Sequence, residues 1–332
     1  MKIYPDNAVI LAPLAGYTDL PYRRSCRRHG CVHAFTEMID AGCLSRARER
    51  SRRYLERGSD EAWLGAQLVG YELDDLLVSV DVINKHEFSI LDFNLGCPAP
   101  KVVRKSKGAA LARKFDEAAR VFEAVARRSR FPTTTKFRIQ DEADPEPTIQ
   151  LAKKLEAAGA VALTVHGRLA EKGYSGPSHH EIVAVVRQAV AVQVVLNGGI
   201  MDRASFSQAV EVAGAGPVMV ARGAMGNPWI FEEISGVRNG EPGLEELCGE
   251  MEAHVSGIVD YYGEKFGMKI ARKIILDYLG GRGFGGAMKK KVSTVSTMAD
   301  FAAYMGEVRK GPKGVRSGAG NATMAKKSHY HA

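Results

Sequence analysis

One cysteine in an irregular loop is the first residue of this sequence whose setting suggests chemistry. A short apolar run from residue 89 breaks at Gly96-Cys97-Pro98, where glycine permits unusual dihedral angles and proline fixes φ. Stiff loops at strand ends commonly carry functional groups. The alternative is that Cys97 is a small buried hydrophobic residue, the usual fate of a free cysteine. Bases that could admit a polyanion follow the thiol, at Lys101, Arg104, Lys105 and Lys107.

Further candidate residues stand at or near the ends of other apolar segments. They are Pro13, Leu14, Ala15, Gln67, Asn94, Lys136, Arg138, His166, Arg168, Asn197, Gly198, Gly199, Ala221, Arg222 and Gly223. Taken singly, each has an ordinary alternative: Gln67 as a satisfied core amide, Lys136 as a surface base, His166 as a core histidine. Their shared position at strand ends predicts one common site.

Two late loops are suited to an anion. Gly198-Gly199 would let backbone N–H groups approach a phosphate closely, and Asn227-Pro228 is typical of the start of a short helix. With Lys136 and Gln67 able to bond polar ring edges deeper inside, the arrangement suits flavin mononucleotide (FMN). A glycine pair also serves ordinary tight turns, so the loops alone do not decide this.

The elements that must position these residues alternate regularly. Strands are predicted at 8–13, 33–38, 63–69, 89–94, 133–139, 161–166, 193–196 and 217–220. Helices are predicted after Asp19 and near 72–85, 115–129, 147–158 and 179–190, with a short one from Pro228. Eight such strands favour an α/β fold of the TIM (β/α)8 barrel type over residues 1–240. An open doubly wound sheet is the alternative, but no strand-linked Gly-x-Gly-x-x-Gly supports it.

From about residue 241 the strand pattern gives way to helices. Apolar residues recur at three-to-four spacing, at Leu244, Leu247, Met251, Val255, Ile258 and Tyr262. This predicts a smaller all-helical C-terminal domain over 241–309, whose last helix contains Met298 and Val308. Residues 310–332 are basic, without acids, and rich in small residues, so they are interpreted as a disordered basic tail.

The charge of +8 is concentrated in two stretches. Residues 23–57 contain ten arginines against four acids, and residues 265–291 contain eight bases against Asp277 alone. These stretches are either solvated helix faces or an extended anion-binding surface. The five cysteines are scattered without Cys-x-x-Cys spacing, which predicts neither disulfides nor a metal site.

The chain has no long apolar run and no cleavable leader. Neither a membrane span nor secretion is therefore predicted, and a cytoplasmic monomer is expected.

Several ordered motifs together resemble one family, the FMN-dependent tRNA-dihydrouridine synthases of the bacterial type. The motifs are Ala12-Pro13-Leu14-Ala15-Gly16-Tyr17-Thr18-Asp19, Gln67-Leu68, Asn94-Leu95-Gly96-Cys97-Pro98, Lys136-Phe137-Arg138, His166-Gly167-Arg168, Asn197-Gly198-Gly199-Ile200 and Arg222-Gly223-Ala224-Met225-Gly226-Asn227-Pro228-Trp229. They extend over about residues 8–235, and Ala271-Arg272-Lys273 is similar too. Two departures are Leu14, where the family more often has methionine, and Gly199, where it more often has an acid.

The resemblance implies an enzyme that reduces the C5=C6 bond of a tRNA uridine with electrons from NADPH. It implies Cys97 as the proton donor to C5. The FMN contacts implied are Pro13, Leu14, Ala15, Gln67, Lys136, His166, Asn197, Gly198, Gly199, Ala221, Arg222 and Gly223. We expect tRNA to contact Asn94, Lys101, Arg104, Arg138, Arg168 and Arg272, with the helical domain contributing to the grip.

Two rival functions remain open on the residues alone. A flavin barrel acting on a free pyrimidine, as in the dihydroorotate dehydrogenases, would need no basic helical appendage. An RNA-binding protein that has lost catalysis would need no intact Cys97, Lys136 or glycine loops.

Overall fold

The computed structural model describes residues 2–46 and 52–312, and it contains a closed barrel of eight parallel strands. The strands are Val9–Leu11 (β1), His33–Asp40 (β2), Leu64–Val69 (β3), Ile90–Leu95 (β4), Thr133–Arg138 (β5), Ala162–His166 (β6), Gln193–Asn197 (β7) and Val218–Val220 (β8). Each strand pairs with the next, and β8 closes on β1. Since all eight correspond to the segments predicted from the sequence, the TIM barrel is confirmed.

Helices follow most strands and cover the barrel. In the first half they are Leu20–Arg28 (α1), Ala41–Leu44 (α2), Leu73–Ile83 (α3), Pro100–Val103 (α4), Ala109–Ala112 (α5) and Phe115–Arg128 (α6). In the second half they are Glu146–Ala157 (α7), His180–Ala189 (α8), Arg203–Ala213 (α9) and Ile230–Ser235 (α10). The sequence analysis assigned no helix to α9. Its signal was present, because Asp202 and Ser205 form a reciprocal capping box at its start.

Strand register brings the candidate residues side by side at the carboxyl end of the barrel. Asn94 on β4 pairs with Lys136 on β5, and His166 on β6 pairs with Asn197 on β7. Arg138 at the end of β5 pairs with His166. Because parallel strands in a barrel end at the same face, these side chains surround one mouth.

The C-terminal region is helical, as predicted. Its helices are Leu244–Tyr262 (α11), Glu264–Leu279 (α12), Gly286–Lys291 (α13) and Met298–Val308 (α14). Their buried apolar residues belong to the same hydrophobic cluster as the barrel's outer layer, from Leu11 to Val308. A Cβ on Gly226 would lie 2.2 Å from the Asp277 carbonyl carbon, so the two regions pack backbone against backbone.

None of the helices within 2–46 and 52–312 is long and apolar enough to cross a membrane. The predicted tail is described only as far as residue 312, so most of it lies outside the described residues.

Candidate active site

Asn94 holds the loop that carries Cys97. Its Oδ1 accepts hydrogen bonds from the N–H groups of Gly96, at 3.1 Å, and Cys97, at 2.9 Å. The Cys97 carbonyl in turn accepts from the Ala109 N–H at 3.1 Å. The thiol is half-buried rather than enclosed in the core. The loop is therefore fixed at both ends and still gives the Cys97 side chain access to the mouth.

A chain of buried polar side chains orients Asn94 from inside the barrel. Asn94 Nδ2 donates to Gln67 Oε1 at 2.8 Å, and Gln67 Nε2 donates to Asp92 Oδ2 at 2.7 Å. Thr134 donates to the other Asp92 oxygen, also at 2.7 Å. Burial raises the pKa of Asp92 to about 6. Asp92 escaped the sequence analysis, although it lies two residues before Asn94 and so shares its strand face.

Lys136 projects into the mouth from the end of β5. Burial, with a smaller contribution from the neighbouring Arg138, lowers its pKa to about 7. Within the described residues, no hydrogen bond or ion pair engages its ammonium group. Lys136 is therefore a half-buried base whose pKa lies close to neutral pH. Its N–H donors are available to a bound ligand.

Arg138 joins the Cys97 loop to the loop after β6. Its Nε donates to the Gly96 carbonyl at 3.0 Å, and its Nη1 donates to the carbonyls of Leu169 and Gly173 at 3.0 and 2.8 Å. Burial lowers the pKa of this guanidinium to about 10. These bonds give Arg138 a positioning role, and its contact with substrate stays a prediction.

The Gly198-Gly199 turn requires glycine for steric reasons. Gly198 has φ +116° and Gly199 has φ +76°, in the region that other residues rarely adopt. A Cβ on Gly198 would lie 2.5 Å from Ser178 Oγ and 2.7 Å from His166 Cδ2. The turn therefore presents bare backbone to the mouth, as an anion-binding loop needs.

His166 sits beneath this turn as a neutral ring. It is buried, and burial together with Lys136, Arg138, Arg168 and Arg222 depresses its pKa well below the usual range. Its Nε2 lies 3.4 Å from Arg168 Nη1, and the neutral ring accepts this hydrogen bond because the guanidinium can only donate. His166 therefore adds no positive charge to the bases around it.

A small pocket lies between these groups. It is lined by His166, Arg168, Tyr174, Asn197, Gly198, Gly199, Ile200, Met201, Met219, Ala221 and Arg222. No carboxylate occurs among these lining residues, whereas two arginines do. Arg222 lies over the Tyr174 ring at 4.5 Å. An anion such as a phosphate suits this lining in charge.

Two further residues at the turn escaped the sequence analysis. His180 Nε2 lies within hydrogen-bonding distance, 2.9 Å, of the Gly198 carbonyl. Ser178 Oγ is buried and has no hydrogen-bond partner in the described part of the chain. This unsatisfied buried hydroxyl lies beside the Gly198 backbone, where a bound ligand could supply its hydrogen-bond partner. No spacing in the sequence marks these residues, because they follow a long loop.

The remaining predicted residues are spread around and beyond the mouth. Leu14, after β1, is buried and donates its N–H to Thr18 Oγ1 at 3.0 Å. Lys101 and Arg104 are exposed beside the Cys97 loop, whereas Lys107 is buried and pairs with Asp40 at 2.8 Å. Asn197 Nδ2 donates to the Met219 carbonyl at 2.8 Å.

Arg272 is not brought to the pocket. It lies on α12, where its Nε donates to the Val295 carbonyl at 2.8 Å.

Comparison with known proteins agrees with this geometry. A family model described as "Dihydrouridine synthase (Dus)" matches residues 10–309. The chain is 36% identical over 277 residues to the probable tRNA-dihydrouridine synthase of Rhodobacter capsulatus, covering 81% of this chain and 85% of that protein. It is 33% identical over 319 residues to tRNA-dihydrouridine synthase B of Pseudomonas aeruginosa, covering 93% and 96%.

A (β/α)8 barrel whose carboxyl-end mouth carries a thiol, a lysine and several arginines is the architecture of a barrel enzyme. The chain belongs to the dihydrouridine synthase family, and so to a family of oxidoreductases. This confirms the family predicted from the motifs.

Proposed function

We propose that this chain reduces the C5=C6 bond of a uridine in tRNA to 5,6-dihydrouridine. It would do so with FMN, electrons from NADPH and a proton from Cys97. The observation that carries the proposal is the mouth itself, where the Cys97 loop held by Asn94 lies beside Lys136 and opposite an anion seat. The names of the relatives support tRNA as the substrate.

The residues present fit FMN. Its phosphate would lie at the seat formed by Gly198, Gly199, Arg168 and Arg222, where the lining contains no competing carboxylate. Lys136 would bond the polar edge of the flavin ring, where a cation with unused donors is most valuable. Ring contacts are assigned to Pro13, Leu14, Ala15 and Gln67, with His166, Asn197, Ala221 and Gly223 shaping the remaining wall.

FMN, when bound and reduced by NADPH, supplies a hydride to C6 of the uracil ring. Negative charge then builds towards C5 and the C4 carbonyl, and Cys97 gives its proton to C5. The two electrons and two hydrogens added across the double bond are thus accounted for. Proton donation by a thiol needs no activating base, unlike nucleophilic attack. In keeping with this, no histidine hydrogen-bonds to Cys97 Sγ within the described residues.

The macromolecular substrate would be held by the surface around the mouth. A uridine inside folded RNA must leave its stack to reach a buried ring, and this demands grip on the surrounding backbone. Lys101 and Arg104 are exposed beside the thiol loop and are suited to phosphates. Asn94 and Arg138 would act closer to the base, and Arg272 would act from the helical region. Arg168, which the sequence predicted to contact tRNA, is assigned instead to the FMN phosphate because it lines the pocket.

Incubation of the full chain with NADPH and unmodified tRNA tests the proposal. The expected result is a protein that releases FMN on denaturation and a mass gain of two hydrogens on a tRNA uridine. Free uridine and orotate, run in parallel, should stay unreduced. Reduction of the free pyrimidines alone would favour the small-molecule rival, and tRNA binding by a colourless, inactive protein would favour the catalytically dead rival.

A further inference from the structure

An exposed phenylalanine stands at the corner between α11 and α12. The Phe266 side chain is 53% exposed, and in the described part of the chain no other phenylalanine and no tryptophan is exposed. A large aromatic ring that stays exposed to water does not contribute the free energy that its burial would add to folding. Single exposed apolar residues are common on protein surfaces, so the case for a contact surface here depends on what surrounds the ring.

The Phe266 ring packs against other aromatic residues. Phe266 meets Tyr262 edge to face, with ring centroids 5.6 Å apart, and Tyr262 meets Tyr261 at 4.6 Å. Arg53, from the 3-10 turn Arg53–Leu55, lies over the Tyr262 ring at 5.4 Å. The exposed face of Phe266 is therefore held in place, so a flat partner could stack on it at a small entropic cost.

Bases flank the ring. Lys265 and Lys269, on the same helix as the ring, are exposed, and neither has a hydrogen bond or ion pair within residues 2–46 and 52–312. Their charges are directed to solvent, unlike those of the arginines on α1.

Three acids also lie near this corner. Glu264 accepts the Met298 N–H at 2.7 Å, and Glu56 interacts with the Tyr261 hydroxyl. Asp260 is exposed. The net charge is therefore modest, and the aromatic face has to supply most of the selectivity.

The corner leads to the barrel mouth. Lys265, Lys269 and Lys273 recur every fourth residue and so share one face of α12 over about 12 Å. Lys273 donates to the carbonyl of Gly16 and lies 3.6 Å above the Tyr17 ring. Gly16 and Tyr17 belong to the loop after β1 at the mouth. A ligand lying along this row of lysines therefore ends at the proposed active site.

We infer that Phe266, with Lys265 and Lys269, is a platform for RNA on which one unpaired base stacks on the Phe266 ring. The inference rests on the proposed function, because a folded tRNA presents both unpaired bases and a phosphate backbone. Stacking is tolerant of base identity, since every base has a flat face. The platform thus grips tRNA beside the mouth without choosing the sequence.

The test uses the full-length Phe266→Ala and Phe266→Trp variants and measures their affinity for unmodified tRNA. Phe266→Ala should weaken binding by roughly 10- to 100-fold, the usual worth of one stacked base, and Phe266→Trp should bind like the parent. Phe266→Ala should leave the slope of log affinity against log salt unchanged, because no phosphate contact is lost. Lys269→Ala should reduce that slope by about one. Leu276→Ala is the matched control, since Leu276 is an exposed apolar residue on the same helix.

Two results would overturn the platform. One is unchanged tRNA affinity for Phe266→Ala in a preparation whose parent makes dihydrouridine. The other is an equal loss of affinity for a fully duplex RNA, which has no unpaired base to stack. Failure of the proposed function is distinguishable, because the parent itself would then yield no dihydrouridine. Reduction of bound flavin by NADPH should be the same in all variants, which checks that the mouth is intact.

Discussion

Helix α1 and the barrel mouth are both rich in arginine, but they differ in what surrounds the charges. On α1, Arg23 makes two hydrogen bonds of 2.8 Å to Glu61, and both side chains are almost completely buried. Arg28 binds Glu250 in the same two-pronged way, at 3.0 and 2.6 Å. At the mouth, the pocket lining includes Arg168 and Arg222 and, among the described residues, no carboxylate.

The difference shows that a cluster of arginines in a sequence does not by itself predict whether those arginines form internal ion pairs or bind a ligand. The ten arginines of residues 23–57 were interpreted as a solvated face or an anion-binding surface. Arg23 and Arg27 instead fill their donors with Glu61 and with backbone carbonyls. A buried guanidinium needs an acceptor, because leaving it without one costs several kcal/mol. On α1 the fold supplies carboxylate acceptors, whereas in the described part of the mouth Arg168 donates to the neutral Gly176 carbonyl and His166 ring, and we propose that a ligand supplies the counter-charge.

The largest effect is expected from Cys97→Ala at the mouth. Dihydrouridine formation should fall roughly 10²- to 10⁴-fold, because one positioned proton donor is lost. Flavin reduction by NADPH, followed by rapid-mixing absorbance, should keep its rate, and the free energy of unfolding should not change. Product formation at the parent's rate would make Cys97 a packing residue. Loss of flavin reduction would place it in the cofactor site.

On α1, removing the charge of one partner in a buried ion pair should lower the stability of the protein. Glu61→Gln should lower the free energy of unfolding by about 3–5 kcal/mol, since it leaves the buried Arg23 charge without its counter-ion. Urea unfolding measures this loss. Asp60→Asn is the control, because its partner Arg24 is largely exposed and the change should cost at most about 1 kcal/mol. Equal losses in the two variants would refute the contrast.

A smaller effect is expected from Arg168→Met. The loss of a charged donor to the phosphate should weaken FMN binding by roughly 10- to 100-fold. The free energy of unfolding of the flavin-free protein should change by at most about 1 kcal/mol, because the lost hydrogen bond to the Gly176 carbonyl is offset by the removal of one of several like charges. Flavin fluorescence titration and urea unfolding give the two quantities. A fall in stability with unchanged FMN affinity would assign Arg168 to the same structural class as Arg23.

The smallest effect is expected from Lys136→Met in the flavin-free protein. Burial lowers the Lys136 pKa from 10.5 to about 7, so holding the charge costs stability below about pH 7. That cost is relieved as the pH rises towards 10.5, where the unfolded chain also gives up its proton. The variant should thus be more stable than the parent at pH 7, by on the order of 1 kcal/mol. The gain should shrink by pH 10, and a gain independent of pH would contradict the assignment.

Local patterns in the sequence were sufficient for the barrel and for the position of its mouth. Apolar segments alternating with helical ones predicted all eight strands, because each strand is specified by a short run of its own residues. Parallel strands in a barrel end at one face, so Asn94, Lys136 and His166 had to lie together. The helix α9 was omitted, although Asp202 and Ser205 mark its start, and so were the short helices α2, α4 and α5.

The partners of each side chain were decided by the tertiary structure alone. Gln67 holds Asn94 across 27 residues, and Glu61 neutralises Arg23 across 38. Lys107 was counted among the bases open to a polyanion, but it is buried against Asp40, 67 residues away. Residue type and local spacing set what a side chain can bind. Whether an acid of the same chain arrives beside it depends on how distant elements pack, and no local pattern contains that information.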